Sequence, residues 1–445
     1  MSKIVLIGAN HAGTAAANTL LKTYPENKLV IFDRNSNISY LGCGTALWIG
    51  RQIKGTDKLF YSSEEALREN GASIHMNTSA TRIDYGAKIV YAVDKSGNEI
   101  AEAYDKLILA TGSQAIVPAI PGINLKNVHV VKLFQDGQAI DAALNSDEVK
   151  DVAVIGAGYI GVELAEAVAR RGKKAFLFDI EETSLSGYYD SDLTKEMDKT
   201  LGQNGVELHL GETLKEISGT TAVKEVVTDK GVYPIQLVIL AVGFKPNTDL
   251  GREYLKTFAN GAYEVNLNQQ TSDKDVFAVG DCASVYSNAL ADKAYIALAT
   301  NAVRSGIVAA HNAAGTPIKS IGVQGSNGIS VFGLNMFSTG LSVQSAIKAG
   351  FDAAYTEYED WQKPGFIETS NEKVKLKIVY DKVSRRILGA QMVSHQDVSM
   401  GIHLFSLAIQ KQVTIEELAL LDIFFLPHFN QPYNYITMAA LSAKD

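Results

Sequence analysis

An α/β architecture with two dinucleotide-binding units and a C-terminal α+β unit is predicted for this chain by three observations. First, Lys3 and Asp151 each open a stretch in which a short apolar run, a glycine turn and a helical pattern follow one another. That order is the start of a βαβ nucleotide site. Second, each stretch is closed further along by an apolar strand ending in Ala-x-Gly, at Ala110-Thr111-Gly112 and at Ala241-Val242-Gly243, so one grammar is repeated at domain scale. Third, from about Gly322 strand-like runs at 374–380 and 387–393 precede a helical pattern over 400–410. At 445 residues the chain is too long for a single core.

Composition narrows the function. The net charge of -8 leaves no basic surface excess, which argues against nucleic acid as the main partner. No apolar run reaches the length of a membrane span. The N-terminus runs straight into a strand with no cleavable signal pattern. Cys43 and Cys282 are the only cysteines; they build no disulfide framework, and no Cys/His zinc spacing occurs, so no metal is expected. A reducing, cytoplasmic setting follows as the expectation.

In chain order, the strand over 3–7 ends at Gly8, and a helix over 12–21 follows. The turn Gly8-Ala9-Asn10-His11-Ala12-Gly13 departs from Gly-x-Gly-x-x-Gly by carrying Asn10 at the second glycine. A strand over 28–32 ends in Asp33, an acid placed to accept a ribose hydroxyl. His11 reads either as a helix-start packing residue or as a group aimed at the cofactor and Cys43. The segment 53–105 reads as support, with a turn and helix over 57–70 and short strands after it. Pro118 and Pro121-Gly122 mark a boundary.

The second unit carries a full fingerprint, Gly156-Ala-Gly158-Tyr159-Ile160-Gly161, after a strand and opening a helix. Gly156 allows the tight turn, Gly158 leaves room for a pyrophosphate, and Gly161 permits close helix–strand packing. The next strand ends in Asp179, with Glu181 and Glu182 following and no arginine. That pattern favours NADH over its 2′-phosphorylated form. Two Rossmann-like units in one chain imply electron transfer between a flavin and a nicotinamide.

The chemistry is expected at Ser39-Tyr-Leu-Gly-Cys43-Gly-Thr-Ala-Leu-Trp48. Glycines flank Cys43, and the run after it reads as the first turns of a helix. A thiol at a helix N-terminus is expected to have a lowered pKa and a reactive thiolate.

The two fingerprints, the paired Ala-x-Gly strands and the run Asp275-Val-Phe-Ala-Val-Gly280-Asp281-Cys282 resemble the pyridine-nucleotide flavoprotein disulfide reductases over essentially the whole chain. The resemblance implies FAD in the first unit, with Asp281 on its ribityl chain, and a helix beginning near Ala299 whose N-terminus faces the flavin. NADH goes to the second unit, where the Tyr159 ring moves aside for the nicotinamide. It divides the chain into 1–117 and 246–320 (FAD-binding), 118–245 (NADH-binding) and 321–445 (dimerisation). Cys282 reads as a small buried residue.

Cys43 has no nearby cysteine to pair with. With His11, its surroundings resemble the single-cysteine branch, which contains NADH oxidases, NADH peroxidases and coenzyme A–disulfide reductases. In that branch the segment Phe424-Phe-Leu-Pro-His428-Phe429-Asn430 reaches across a homodimer to the partner's flavin site; a tetramer is the alternative assembly. The coenzyme A–disulfide reductases carry tyrosine-rich sequence there, which argues against a coenzyme A substrate. The implied activity is reduction of O₂ to water by two NADH, through a flavin (hydro)peroxide and a Cys43 thiolate/sulfenic acid cycle assisted by His11. An NADH peroxidase acting on hydrogen peroxide uses the same residues. An electron-transfer flavoprotein serving a protein partner is the reading from another class, disfavoured by the acidic balance and by Cys43.

Overall fold

The computed structural model describes residues 2–444. Two parallel five-stranded sheets and one antiparallel five-stranded sheet organise the chain. The first sheet runs Val276–Ala278, Lys106–Leu109, Lys3–Ile7, Lys28–Phe32, Ser73–His75. The second runs Val206–His209, Lys174–Phe178, Asp151–Ile155, Leu237–Leu240, Val128–Val130. The central strands are covered on both faces, so they read as unbroken apolar runs rather than alternating ones.

The two parallel sheets repeat each other bond for bond. Gly8 N–H donates to Phe32 C=O at 2.8 Å, and Gly156 N–H to Phe178 C=O at 2.7 Å. Ala110 N–H reaches Ile7 C=O at 2.8 Å, and Ala241 N–H reaches Ile155 C=O at 2.7 Å. Both glycine turns therefore sit at the carboxyl ends of parallel strands, where α/β sheets bind ligands.

The helix of the first turn, His11–Thr23, packs along the helix Ala299–Ala313. Their approach is so close that a Cβ on Gly306 would lie 2.2 Å from Ala12 C=O. Ala12, Ala16 and Ala302 line the same contact. Small side chains there let the second helix bring its first residues to the first glycine turn.

The third sheet runs Asn327–Val331, Leu334–Gly340, Ile387–Ser394, Lys373–Asp381, Ala353–Trp361. Ser399–Lys411 and Tyr435–Leu441 cover its apolar face. The strand-like runs and helix expected after Gly322 are all present; the flanking hairpin strand Ala353–Trp361 was not anticipated, because its one exposed face, with Tyr355, Glu357, Glu359 and Trp361, leaves it no continuous apolar run.

Cys43 stands on a 3₁₀ turn, Gly42–Gly44, that leads into a helix of five residues, Thr45–Ile49. So short a helix cannot hold itself together in water. Its inner face, Ala46, Trp48 and Ile49, joins a cluster with Ala167 and Val168 of the helix Tyr159–Arg170 and with Val331 and Met336 of the third sheet. A Cβ on Gly50 would touch Ala167 at 3.1 Å. The reactive turn is thus fixed by packing against the second nucleotide unit. Ile49 is fully buried there, and Ile49→Ala is expected to cost about 2–5 kcal/mol in denaturant unfolding.

Candidate active site

One cavity of about 1680 Å³ runs between the two glycine turns and past Cys43. Its wall includes Gly8, Asn10, His11, Ala12, Asp33, Ala110, Thr111, Gly112, Asp281 and Ala299 from the first unit, and Gly156, Gly158, Tyr159, Ile160, Asp179 and Gly243 from the second. Gly13 and Gly161 lie behind the turns rather than on the wall.

The two turns are built alike. Gly8 has φ +98°, and a Cβ there would lie 2.2 Å from Ala110 C=O; Gly156 has φ +102°, with Ala241 C=O at 2.5 Å. A Cβ on Gly13 or Gly161 would strike the carbonyl of Gly8 or Gly156 at 1.9 or 1.7 Å. Asp33 Oδ2 accepts from Ala9 N–H at 2.7 Å, and Oδ1 from Asn35 N–H at 2.7 Å. Asp179 repeats this with Ala157 N–H at 2.5 Å and Glu181 N–H at 2.9 Å. Burial pushes the Asp33 carboxyl up, opposed by these backbone donors. Asn10 departs from the fingerprint without strain. It caps its helix at φ -85°, and Gly158 does so at φ -73°, neither in the region that needs glycine. Backbone N–H groups at a helix start, small residues beneath them and a buried acid at the next strand end are what a dinucleotide requires.

Where the two halves meet, Cys43, His11, Lys132, Tyr159, Glu163 and Asp281 share the wall. His11 Nδ1 lies 2.9 Å from the Tyr61 hydroxyl, and the rings stack at 5.7 Å with an interplanar angle of 1°. Burial lowers its pKa, with Lys132 adding and Asp281 opposing, so the imidazole is neutral near pH 7. Asp281 Oδ2 accepts from Ser113 Oγ at 2.8 Å and from Lys132 Nζ at 3.2 Å. Ala299 opens the helix Ala299–Ala313 at the cavity. Cys282 is fully buried and donates to Leu109 and Val279 carbonyls at 3.3 and 3.2 Å; it has no access to the cavity.

The expected sign of the Cys43 shift is reversed. The thiol is exposed at the cavity wall, yet the dense surroundings push its pKa up. Glu163 and Asp281 push the same way, against a backbone hydrogen bond and Lys132. Burial is the largest cause, with Glu163 next, and a five-residue helix supplies little dipole to set against them.

Glu163, Lys132 and Tyr61 were not anticipated as site residues. Glu163 lies two positions past Gly161, on the helix turn that faces the cavity, so its spacing was the available signal; Lys132 and Tyr61 carry none. Burial, with Glu166 adding, lifts the Glu163 carboxyl to about 7. Above that pH its charge disfavours the Cys43 thiolate. In Glu163→Gln, alkylation of Cys43 by iodoacetamide is therefore expected to run several-fold faster at pH 8 and no faster at pH 6. The buried Cys282 leaves Cys43 as the reporting thiol.

His428 and Phe429 lie on an exposed segment and do not line the cavity of their own chain. Phe424, Phe425, Leu426, Phe429 and Tyr433 expose their side chains together, an apolar surface of the kind that partner chains cover.

Similarity to known proteins agrees with this architecture. The chain is 58% identical over 457 residues to an NADH oxidase of Streptococcus pyogenes serotype M6, with all of both chains covered. It is 57% identical to an NADH oxidase of Lactococcus lactis subsp. cremoris, covering 99% of this chain and 100% of that one. The structure of a water-forming NADH oxidase from Lactobacillus brevis bound to NADH superposes with a TM-score of 0.96 at 37% identity, covering 99% of this chain and 98% of that one. The model of the pyridine nucleotide-disulphide oxidoreductases matches residues 2–306, and that of their dimerisation domain matches residues 328–434. With most of its length matched by these two models, the chain belongs to the pyridine nucleotide-disulphide oxidoreductase family.

Proposed function

We propose that this protein is an FAD-dependent NADH oxidase that reduces O₂ to water. The observation that carries the reading is one accessible sulfur, Cys43, on the wall of a cavity that joins two dinucleotide cradles. The second thiol is sealed in the core, so an intramolecular disulfide is not available and the sulfur must cycle alone. FAD, when bound, takes hydride from NADH and passes electrons to oxygen and to the oxidised sulfur.

Around it, Gly8, Asn10, Ala12, Asp33, Ala110, Thr111, Gly112, Asp281 and Ala299 would hold the FAD, and Gly156, Gly158, Tyr159, Ile160, Asp179 and Gly243 would hold the NADH, with Gly13 and Gly161 behind the turns letting each helix start pack against its glycine turn. Asp33 and Asp179 each keep lone pairs for a ribose hydroxyl beyond their two backbone donors. Glu181 and Glu182 beside Asp179 repel a 2′-phosphate. Domain limits follow as 1–117 with 246–320 for FAD, 118–245 for NADH and 321–445 for dimerisation. The protein acts as a homodimer in which His428 and Phe429 close the partner's site.

In the cycle, the Cys43 thiolate attacks one oxygen of a peroxide. The O–O bond breaks, one oxygen leaves as water with a proton, and the sulfur becomes a sulfenic acid. Two electrons from a second NADH restore the thiolate and release the second water. His11, neutral and held by Tyr61, donates or accepts a hydrogen bond at the oxygen. Glu163, poised near 7, can deliver the proton that each water requires.

The net reaction joins one O₂, two NADH and two protons to give two waters and two NAD⁺. Simultaneous measurement of oxygen, NADH and peroxide tests it. Two NADH consumed per O₂ with no free peroxide is the expected result. One NADH per O₂ with peroxide accumulating overturns the four-electron reading, and NADH consumption that requires added peroxide assigns a peroxidase instead.

A further inference from the structure

The Tyr159 ring is held at three points. Its edge meets the Tyr188 ring with centroids 4.4 Å apart and an interplanar angle of 86°. Its hydroxyl lies 2.6 Å from the Tyr189 hydroxyl and also bonds Asn327 Oδ1. Tyr189 is buried, so its hydroxyl is not free to trade this partner for water in place.

The direction of each bond follows from counting hydrogens. Asn327 Nδ2 donates to Gly325 C=O at 2.6 Å, which turns Oδ1 toward the tyrosine. That oxygen also accepts from Ser338 Oγ at 3.0 Å. The Tyr159 hydroxyl has one hydrogen and spends it on Asn327, so Tyr189 is the donor across the other bond. Every hydroxyl in the group has its acceptor, and the group is closed. Asn327 and Ser338 face each other across two antiparallel strands of the C-terminal sheet, whereas Tyr159 and Tyr189 belong to the second nucleotide unit.

We propose that Asn327 and Tyr189 are positioning residues that latch the Tyr159 ring at the cavity wall, so that NADH binds against the restraint they place on that ring. This rests on the reading that the Tyr159 ring gives way to the nicotinamide. Breaking two hydrogen bonds of a half-buried phenol is unfavourable. Removing the latch therefore tightens binding of any ligand that displaces the ring and leaves other ligands unaffected. A group that merely held the fold together would act in the opposite direction, weakening binding when lost.

The test titrates oxidised, FAD-loaded enzyme with NAD⁺ and, separately, with ADP-ribose, which lacks the nicotinamide, following the flavin absorbance or heat of binding. The variants are Tyr189→Phe, which loses only a hydroxyl, and Asn327→Ala. In each, NAD⁺ is expected to bind about three- to tenfold tighter, with ADP-ribose unchanged and the KM for NADH lower at constant kcat. NAD⁺ affinity that is unchanged, or weakened together with ADP-ribose, overturns the latch. Failure of the unmodified enzyme to bind either ligand overturns the NADH assignment and the latch with it, and is recognised by the loss of ADP-ribose binding.

Discussion

Replacing Cys43 by Ser is expected to halve the NADH consumed per O₂, from two to one, and to release one hydrogen peroxide for each O₂ taken up. A serine hydroxyl, with a pKa far above that of a thiol, cannot form the nucleophile that opens the O–O bond. The two dinucleotide cradles are untouched by this change, because the Cys43 side chain makes no hydrogen bond to either. Hydride transfer from NADH therefore continues, and only the second half of the cycle is lost. The substitution is also sterically mild. Cys43 lies on an exposed turn whose packing is carried by Ala46, Trp48 and Ile49 behind it, so unfolding midpoints should match those of the unmodified protein. Peroxide release is read by a coupled peroxidase assay, and the ratio by oxygen electrode with absorbance at the nicotinamide band. Unchanged water formation in Cys43→Ser would remove the sulfur from the chemistry and leave peroxide reduction to another group.

The raised Cys43 pKa sharpens this prediction. The pH dependence of the second half of the cycle should follow the thiol, whereas NADH oxidation in Cys43→Ser should not. Thiolate formation is opposed by Glu163 and Asp281 and favoured by Lys132. Glu163 sits on the helix Tyr159–Arg170, which also holds the short cysteine helix in place through Ala167 and Val168. The same packing that fixes the sulfur thus brings it beside a carboxyl poised near neutrality.

Much of this was readable from the residues alone. The strands Lys3–Ile7, Lys28–Phe32, Asp151–Ile155 and Lys174–Phe178 lie where apolar runs bounded by glycine and acid put them, because a parallel strand buried on both faces leaves an unambiguous pattern. The two glycine turns and their acids were visible for the same reason: their roles depend on local backbone shape. What escaped was set by distance in space. The Thr45–Ile49 helix is only five residues long, a length decided by packing against the second unit, so its dipole and the sign of the Cys43 shift could not be read from spacing. Lys132 meets Asp281, and Asn327 meets Tyr159, across long stretches of chain and with no motif. The short strands expected after residue 70 include the hairpin pair Ile89–Asp94 and Glu99–Ala103, whereas Leu214–Gly219, Val223–Thr228 and Val232–Pro234 of the second unit were missed, because their exposed polar residues alternate too irregularly to mark a strand.

Gly158→Val should abolish NADH binding while leaving FAD content and fold intact, and the contrast with Gly161 makes the result interpretable. A Cβ on Gly161 would lie 1.7 Å from the Gly156 carbonyl oxygen, so even Gly161→Ala forces the turn apart. Gly158 is different: among the described residues nothing beyond its two chain neighbours lies within 4 Å of its ideal Cβ, and its backbone, at φ -73° and ψ -173°, is open to any residue. Valine is a poorer helix cap than glycine, which costs about 1 kcal/mol. The glycine there is required by what approaches from outside the chain. The first N–H groups of the helix Tyr159–Arg170 have no partner within the helix, and an isopropyl group beside them keeps a pyrophosphate from reaching them. Losing two charge-assisted hydrogen bonds of about 1.5–3 kcal/mol each corresponds to a rise in KM for NADH of at least about 100-fold. Titration with ADP-ribose, the flavin absorbance spectrum and a thermal melt read the three quantities separately. Normal NADH affinity in Gly158→Val would mean that the second cradle is not where the nicotinamide nucleotide binds, since a ligand seated on that helix end cannot avoid the added side chain.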